Sequence, residues 1–309
     1  MKSAIVTGAN GFVGSAVVKY LISKNIKVCA VVHNNNTSRL HMDSNLKIIS
    51  CELSKISDLP SFLSEKYDLF YHFAWMGSAG PQRADYELQL NNVRWTLDAI
   101  KIAKQIGCNR FICAGTIMED ETLKATCTDG NMPNPAYIYG AGKAATHMMA
   151  TPLAVQIGID LIWTKITNAY GPGELSPRLI NTTIQKCILK INPEFTSGIQ
   201  NYDFVYINDV AEAFYRIGLN GKPFHSYTIG SGSAKSLKEY LLELHNTIAP
   251  NLEFKFGDVP FTGINLPLEA FDTKSTSIDT GFNAKTSFVE GCKLTEKWLK
   301  EARNNDSKI

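Results

Sequence analysis

Long apolar runs are missing from this sequence. No uninterrupted stretch in its 309 residues reaches the roughly 18 that a membrane-crossing helix needs. The opening Met1-Lys2-Ser3-Ala4-Ile5-Val6-Thr7 is too short an apolar run for a signal peptide. No membrane partner is expected. A dominant charge is missing as well: 31 basic against 29 acidic residues leave +2, which gives no argument for nucleic acid. Cys-x-x-Cys is absent, and the seven cysteines (Cys29, Cys51, Cys108, Cys113, Cys127, Cys187, Cys292) lie far from any His pair. Zinc and disulfide frameworks are therefore not expected, and a reducing cytoplasm is. Cys29 and Cys113 fall inside apolar runs and are expected to be simply buried. Repeats, linkers and low-complexity tracts are also absent, so the length bounds one large domain or two modest ones.

What is present begins with punctuation. Ala4-Ile5-Val6-Thr7 reads as a strand, Gly8-Ala9-Asn10-Gly11-Phe12-Val13-Gly14 as a glycine turn, and Ser15 to Ser23 as a helix. Strand, turn and helix in this order give a dinucleotide fingerprint its required context. Glycines let the backbone approach a pyrophosphate at the positive helix end. The second strand, Lys27 to Val32, ends at His33, followed by Asn34-Asn35-Asn36-Thr37-Ser38-Arg39. No acid stands there to accept from adenosine ribose hydroxyls, whereas Arg39 with Ser38 suits a 2′-phosphate; NADP is expected, with NAD the alternative.

Further strands read at Leu46 to Ser50, within Tyr67 to Ala74, at Arg110 to Ala114 and at Asp160 to Lys165. A helical pattern runs from Arg83 to Ile106, with Gly107 as a natural stop. Alternation of strand and helix predicts an α/β, doubly wound parallel sheet. Its ligands would lie beyond the carboxyl ends of the strands, near Thr116, Asn168 and the helix carrying Tyr139. After Gly173 the alternation loosens. Helices are expected at Ser176 to Ile191, at Asn208 to Leu219 (capped by Asn208 or Asp209), at Ser236 to Ile248 and at Leu294 to Ala302. Strands are expected at His225 to Ile229 and Asn251 to Phe256. The division is therefore residues 1–172 as the cofactor domain and 173–309 as a smaller α/β lobe covering the substrate, with some elements interleaved.

Tyr139-Gly140-Ala141-Gly142-Lys143 reads Tyr-x-x-x-Lys at the start of a helical stretch. Positions i and i+4 share a helix face. A phenol, with an ordinary pKa of about 10, is expected to be pulled down by the Lys143 ammonium. The pair would then move a proton on or off an alcohol or carbonyl oxygen. A surface Tyr beside a solvated Lys would give the same pattern.

Together these residues resemble the extended short-chain dehydrogenase/reductase family, especially its nucleotide-sugar epimerases, dehydratases and ketoreductases. The resemblance covers nearly the whole chain. It includes the loop Thr7 to Gly14, Glu52-Leu53 at the adenine position, Asp68 to Ala74, Asn92-Val93, and Thr116 with Tyr139 and Lys143. It continues through Thr167-Asn168-Ala169-Tyr170-Gly171-Pro172 and Asp203 to Ala211 to a tail from Asp272-Thr273-Lys274 through Trp298. It implies a Rossmann fold and hydride chemistry at a carbinol or ketone carbon. Thr116 would hydrogen-bond the reacting oxygen and Tyr139 would exchange its proton. Lys143 would bond the nicotinamide ribose. The implied cofactor residues are Gly8, Asn10, Gly11, Phe12, Val13, Gly14, His33, Ser38, Arg39, Glu52, Leu53, Ala74, Tyr139, Lys143 and Thr167. The implied substrate residues are Trp75, Thr116, Glu119, Asn168, Arg178 and Tyr202.

Departures from the family pattern narrow the reaction. Dehydratases carry Asp-Glu after the catalytic Thr, but here Ile117-Met118 follow, which argues against 4,6-dehydration. Glu119 either reaches the sugar or is a solvated loop carboxylate, and His147 reads as structural. Tyr202 stands where an Arg usually precedes Asp-Phe-Val-Tyr, and no Arg stands near Leu266-Pro267. Arg178 and Arg83 remain as candidates for a diphosphate. The expected activity is NADPH-dependent reduction of a nucleotide-linked 4-keto (often 6-deoxy) sugar by a homodimer. The alternatives are a 4-epimerase holding NAD and, against the intact Tyr139 and Lys143, a non-catalytic NADP-binding regulator.

Overall fold

The computed structural model describes residues 1–306. Its first six strands are β1 (Ser3–Thr7), β2 (Lys27–Val32), β3 (Leu46–Ser50), β4 (Leu69–His72), β5 (Arg110–Thr116) and β6 (Asp160–Ile166). Short strands follow: β7 (Asn168–Tyr170), β8 (Glu194–Phe195), β9 (Asn201–Tyr202) and β10 (Phe204–Tyr206). Then come β11 (Ser226–Ile229), β12 (Lys235–Ser236) and β13 (Lys255–Phe256). The main sheet has seven strands in the order β3-β2-β1-β4-β5-β6-β11, and every neighbouring pair is parallel. This is the doubly wound α/β sheet that the alternation predicts.

The helices are α1 (Phe12–Ser23), α2 (Tyr86–Ile106), α3 (Met118–Thr126), α4 (Tyr137–Ile157) and α5 (Leu179–Ile188). They continue with α6 (Ile207–Asn220), α7 (Leu237–Ile248), α8 (Lys274–Thr280) and α9 (Phe288–Asp306). A parallel sheet must be covered on both faces, and alternate residues of β1 point oppositely. Ala4 and Val6 join a core with Val17 and Leu21 of α1 and Phe214 and Ile217 of α6. Ile5 joins the opposite core with Ile100 and Ala103 of α2 and Ala150 and Ala154 of α4. Strand β11 and helix α6 lie beyond residue 173 in the chain, yet β11 extends the main sheet beside β6.

The element ends differ from the sequence reading where capping decides. Helix α1 starts at Phe12, with Gly11 as its N-cap and no side chain capping it. The stretch from Arg83 does not begin a helix: Pro81–Ala84 is a 3-10 turn, and Asp85 caps α2 by accepting from Leu88 N. Asn208 and Asp209 do not cap α6, whose N-cap is Tyr206. The Asp209 carboxylate instead accepts from the backbone of Lys285 and Thr286. Ser236 and Glu239 form a capping box on α7. Helix α3 follows Thr116 directly, where the sequence reading has only a loop.

Candidate active site

At the carboxyl ends of β1 and β4 the chain folds so closely that side chains are excluded. Gly8 has φ +66°, and a Cβ there would stand 2.7 Å from Ala74 N. A Cβ on Gly14 would stand 2.2 Å from Gly8 O, so glycine lets α1 press onto the end of β1. Above this crossing lie two cavities that share Trp75. One, of about 440 Å³, is bordered by His33, Glu52, Leu53 and Ala74, with Met76 and Trp95 completing an apolar wall. The other, of about 460 Å³, is bordered by Phe12, Val13, Thr116, Tyr139, Lys143 and Thr167.

Of the expected cofactor residues, Gly8, His33, Glu52, Leu53 and Ala74 border the first cavity and Phe12, Val13, Tyr139, Lys143 and Thr167 the second, whereas Asn10, Gly11, Gly14, Ser38 and Arg39 border neither. The free amides at the uncapped N-terminus of α1 and the side-chain-free turn before it suit a pyrophosphate. The flat apolar wall suits an adenine. These residues fit a dinucleotide. Asn10 ties the loop after β2 to the glycine turn: its Oδ1 accepts from Arg39 N at 2.8 Å and its Nδ2 donates to Ser38 Oγ at 3.3 Å. Ser38 and Arg39 are thereby held at the rim beside the turn, while His33 is exposed on the cavity border.

Thr116 ends β5, and Tyr139 and Lys143 project from α4 into the second cavity. The shared face expected of the Tyr-x-x-x-Lys pair is present, but its electrostatics are not those expected. Lys143 Nζ donates to Ala114 O at 2.7 Å and lies 3.8 Å from the centroid of Trp75. Burial lowers its pKa. Burial likewise raises the Tyr139 phenol above its ordinary value; the Arg83 and Arg178 guanidiniums and the Thr116 hydroxyl pull it down, and Glu119 pushes it up. Desolvation outweighs the charges, so the expected depression by Lys143 is replaced by a net rise. Among these cations Arg83 acts most strongly, with its guanidinium carbon 4.8 Å from the phenol ring centroid.

The substrate residues divide. Trp75, Asn168, Arg178 and Tyr202 border the catalytic cavity with Thr116. Asn168 Nδ2 donates to Asp203 O at 3.3 Å, and the parallel pair β7 and β10 fixes that segment. Arg178 is the N-cap residue of α5 and is half-exposed, with Nε 3.9 Å from Glu174 Oε2. Tyr202 stacks on Phe204, its ring centroid 5.4 Å away, and burial pushes its phenol up to about 12.

Glu119 does not border the cavity, and both sequence alternatives for it fail. Its carboxylate is buried against β5 and β6, accepting from Thr116 N at 2.8 Å and from Trp163 Nε1 at 3.1 Å. His147 stacks on that Trp163 at 4.6 Å. Glu121, one residue pair further along α3, borders the cavity instead. The sequence signal that could have found it is the acidic run Glu119-Asp120-Glu121 read as a helix start, since a rotation of about 100° per residue sets Glu121 on the side of the helix away from Glu119. Tyr137 of α4 and Thr262 and Gly263 close the far side.

A cleft floored by a side-chain-free glycine turn thus opens beside a cavity bordered by Thr116, Tyr139 and Lys143. The chain belongs to the NAD-dependent epimerase/dehydratase family, whose model matches residues 4–230. Over 96% of its length it is 28% identical to the trifunctional UDP-glucose 4,6-dehydratase/UDP-4-keto-6-deoxy-D-glucose 3,5-epimerase/UDP-4-keto-L-rhamnose-reductase of Arabidopsis thaliana, of which it spans 47%. The chain thus has about half the length of that relative. It is 26% identical to the dTDP-D-glucose 4,6-dehydratase of Homo sapiens, covering 98% of this chain and 91% of that protein. Among solved structures it is similar to the UDP-glucose 4-epimerase of Thermotoga maritima, determined with UDP-glucose. The TM-score is 0.82 at 19% identity, over 97% of this chain and 99% of that one, a likeness of fold. Among the described residues no helix is long and apolar enough to cross a membrane.

Proposed function

We propose that this protein reduces a nucleotide-linked 4-keto (often 6-deoxy) sugar with NADPH. The single observation that carries the reading is the Thr116-Tyr139-Lys143 cavity opening onto a cleft whose second strand ends without an acid and beside Arg39. When bound, the dinucleotide supplies the hydride. Thr116 Oγ1 and Tyr139 Oη hold the substrate carbonyl oxygen, and Tyr139 passes its hydroxyl proton to that oxygen. Arg83 and Arg178 favour the phenolate that remains. Lys143 would hold the nicotinamide ribose, and Gly8, Gly11 and the start of α1 the pyrophosphate. Beyond residue 173, Arg178 and the uncapped start of α5 take the diphosphate, and Tyr202 adds to the wall of the same cavity. A homodimer accords with exposed Leu90 on α2 and exposed Met148 and Val155 on α4, which offer apolar surface to a second copy.

The second reading is a nucleotide-sugar 4-epimerase that retains NAD, favoured by the fold likeness to the 4-epimerase. The test is stoichiometric. Purified protein is mixed with NADPH or NADH and UDP- or dTDP-linked 4-keto-6-deoxy sugars, and nicotinamide absorbance is followed. One NADPH consumed per sugar reduced supports the reductase. Co-purifying NAD with sugar inversion and no net consumption supports the epimerase.

A further inference from the structure

Two oppositely charged side chains border the catalytic cavity without pairing. Arg83 enters from the turn before α2. Its Nη2 contacts Met118 Sδ, and its Nε is buried with no hydrogen-bond partner among the described residues. Glu121 enters from the first turn of α3. Its carboxylate makes no hydrogen bond or ion pair among the described residues, although it lies within the field of Arg83. Helix α3 is pressed onto α4 at Gly140, where a Cβ would stand 2.0 Å from Thr122 Oγ1 and 2.5 Å from Met118 O. A buried donor without an acceptor is costly, and the part-buried Glu121 carboxylate beside it also lacks a partner among the described residues. Such a pair, held beside the reacting end of the cavity, is built for a third group.

We propose that Arg83 and Glu121 form a subsite for a vicinal diol of the substrate's sugar ring, next to the carbon served by Tyr139 and Thr116. The inference rests on the nucleotide-sugar reading above. An ionised carboxylate only accepts and a guanidinium only donates. A diol satisfies both: one hydroxyl donates to Glu121, and the neighbouring oxygen accepts from Arg83. A diphosphate would use the cation and be repelled by the carboxylate, and an amine would do the reverse. The presence of both charges therefore assigns this end of the cavity to the sugar, leaving Arg178 for the diphosphate.

Burial raises Glu121 to about 7, with Arg83 pulling the value down and Asp120 pushing it up. Tyr137 of α4 and Tyr202 of β9 face it as neutral phenols. Lys124, one turn along α3, is engaged with Asn265 O. The ionised carboxylate is the stronger acceptor, so the sugar's share of affinity grows as pH rises through 7.

The test is calorimetric titration of NADP-loaded protein with UDP, UDP-glucose and UDP-2-deoxyglucose, and with the dTDP series, at pH 6 and pH 8. Wild type is expected to bind the sugar nucleotide more tightly than the bare diphosphate, with a larger gain at pH 8. Removing the 2-hydroxyl should lose roughly 10-fold or more. Glu121→Gln and Arg83→Gln should each remove a similar factor from the sugar's share and leave the bare diphosphate within about twofold, and Glu121→Gln should abolish the pH dependence. Equal losses for both ligands, or no loss from the 2-deoxy probe on wild type, overturn the subsite. If wild type binds neither diphosphate, the nucleotide-sugar reading fails first and the subsite falls with it.

Discussion

Arg83, not Lys143, is the cation set over the Tyr139 ring. Its guanidinium carbon lies 4.8 Å from the phenol ring centroid, whereas the Lys143 ammonium is bonded to Ala114 O and rests on Trp75. Tyr139 and its helical neighbour are thus electrostatically separate, and the turn before α2 supplies the stronger of the two charges that pull on the phenol.

Tyr139→Phe removes the hydroxyl and keeps the ring that packs edge-on against Trp75. Turnover is expected to fall on the order of 10²–10⁴-fold with cofactor affinity retained. Single-turnover kinetics beside a cofactor titration separate the two, and near-wild-type turnover removes Tyr139 from the mechanism.

Arg39 is held at the glycine turn by its own backbone amide, through Asn10, so its side chain is free of that task. Arg39→Ala should therefore leave the turn intact and weaken NADP more than NAD. Paired titrations of both cofactors on wild type and variant decide this. Equal weakening, or a wild-type preference for NAD, favours the epimerase.

Arg178 stands half-exposed at the start of α5, only loosely engaged by Glu174 at 3.9 Å. Its removal is expected to weaken nucleoside diphosphate binding roughly 10- to 150-fold. Unchanged affinity in Arg178→Ala would move the diphosphate elsewhere while keeping the substrate class.

His72 is buried in the sheet between the Thr7 and Thr96 hydroxyls, and burial, followed by the Lys143 charge, lowers its pKa to about 3. The folded state therefore holds it neutral while the unfolded chain protonates near 6.5. Its contribution to stability is complete above the unfolded value and is lost as pH falls from there toward 3, at up to about 1.4 kcal/mol per pH unit. Urea denaturation of wild type and His72→Asn at pH 7 and pH 5 measures this. A pH slope identical in the two proteins would show that His72 does not titrate between the states.

The sequence by itself determined the sheet, the cleft and the reacting pair. Short continuous apolar runs in the strands, glycines where backbone meets backbone, and an i, i+4 Tyr and Lys are local rules, each satisfied within a few residues. Glu52 and Leu53 are placed by the family resemblance and His33 by the end of β2, and all three border one cavity. Which charges reach the phenol, and which acid borders the cavity, followed only from the tertiary fold. Glu119 and Glu121 are two residues apart in one acidic run, yet α3, pressed on α4 at Gly140, buries the first under Trp163 and aims the second into the cavity. Arg83 is 56 positions from Tyr139 in the chain and meets it only because a 3-10 turn and the Asp85 cap bend the segment before α2 over the cavity. The sign of the Tyr139 shift was likewise out of reach, because desolvation depends on how completely distant elements close over the phenol, and here that burial exceeds the pull of the cations beside it.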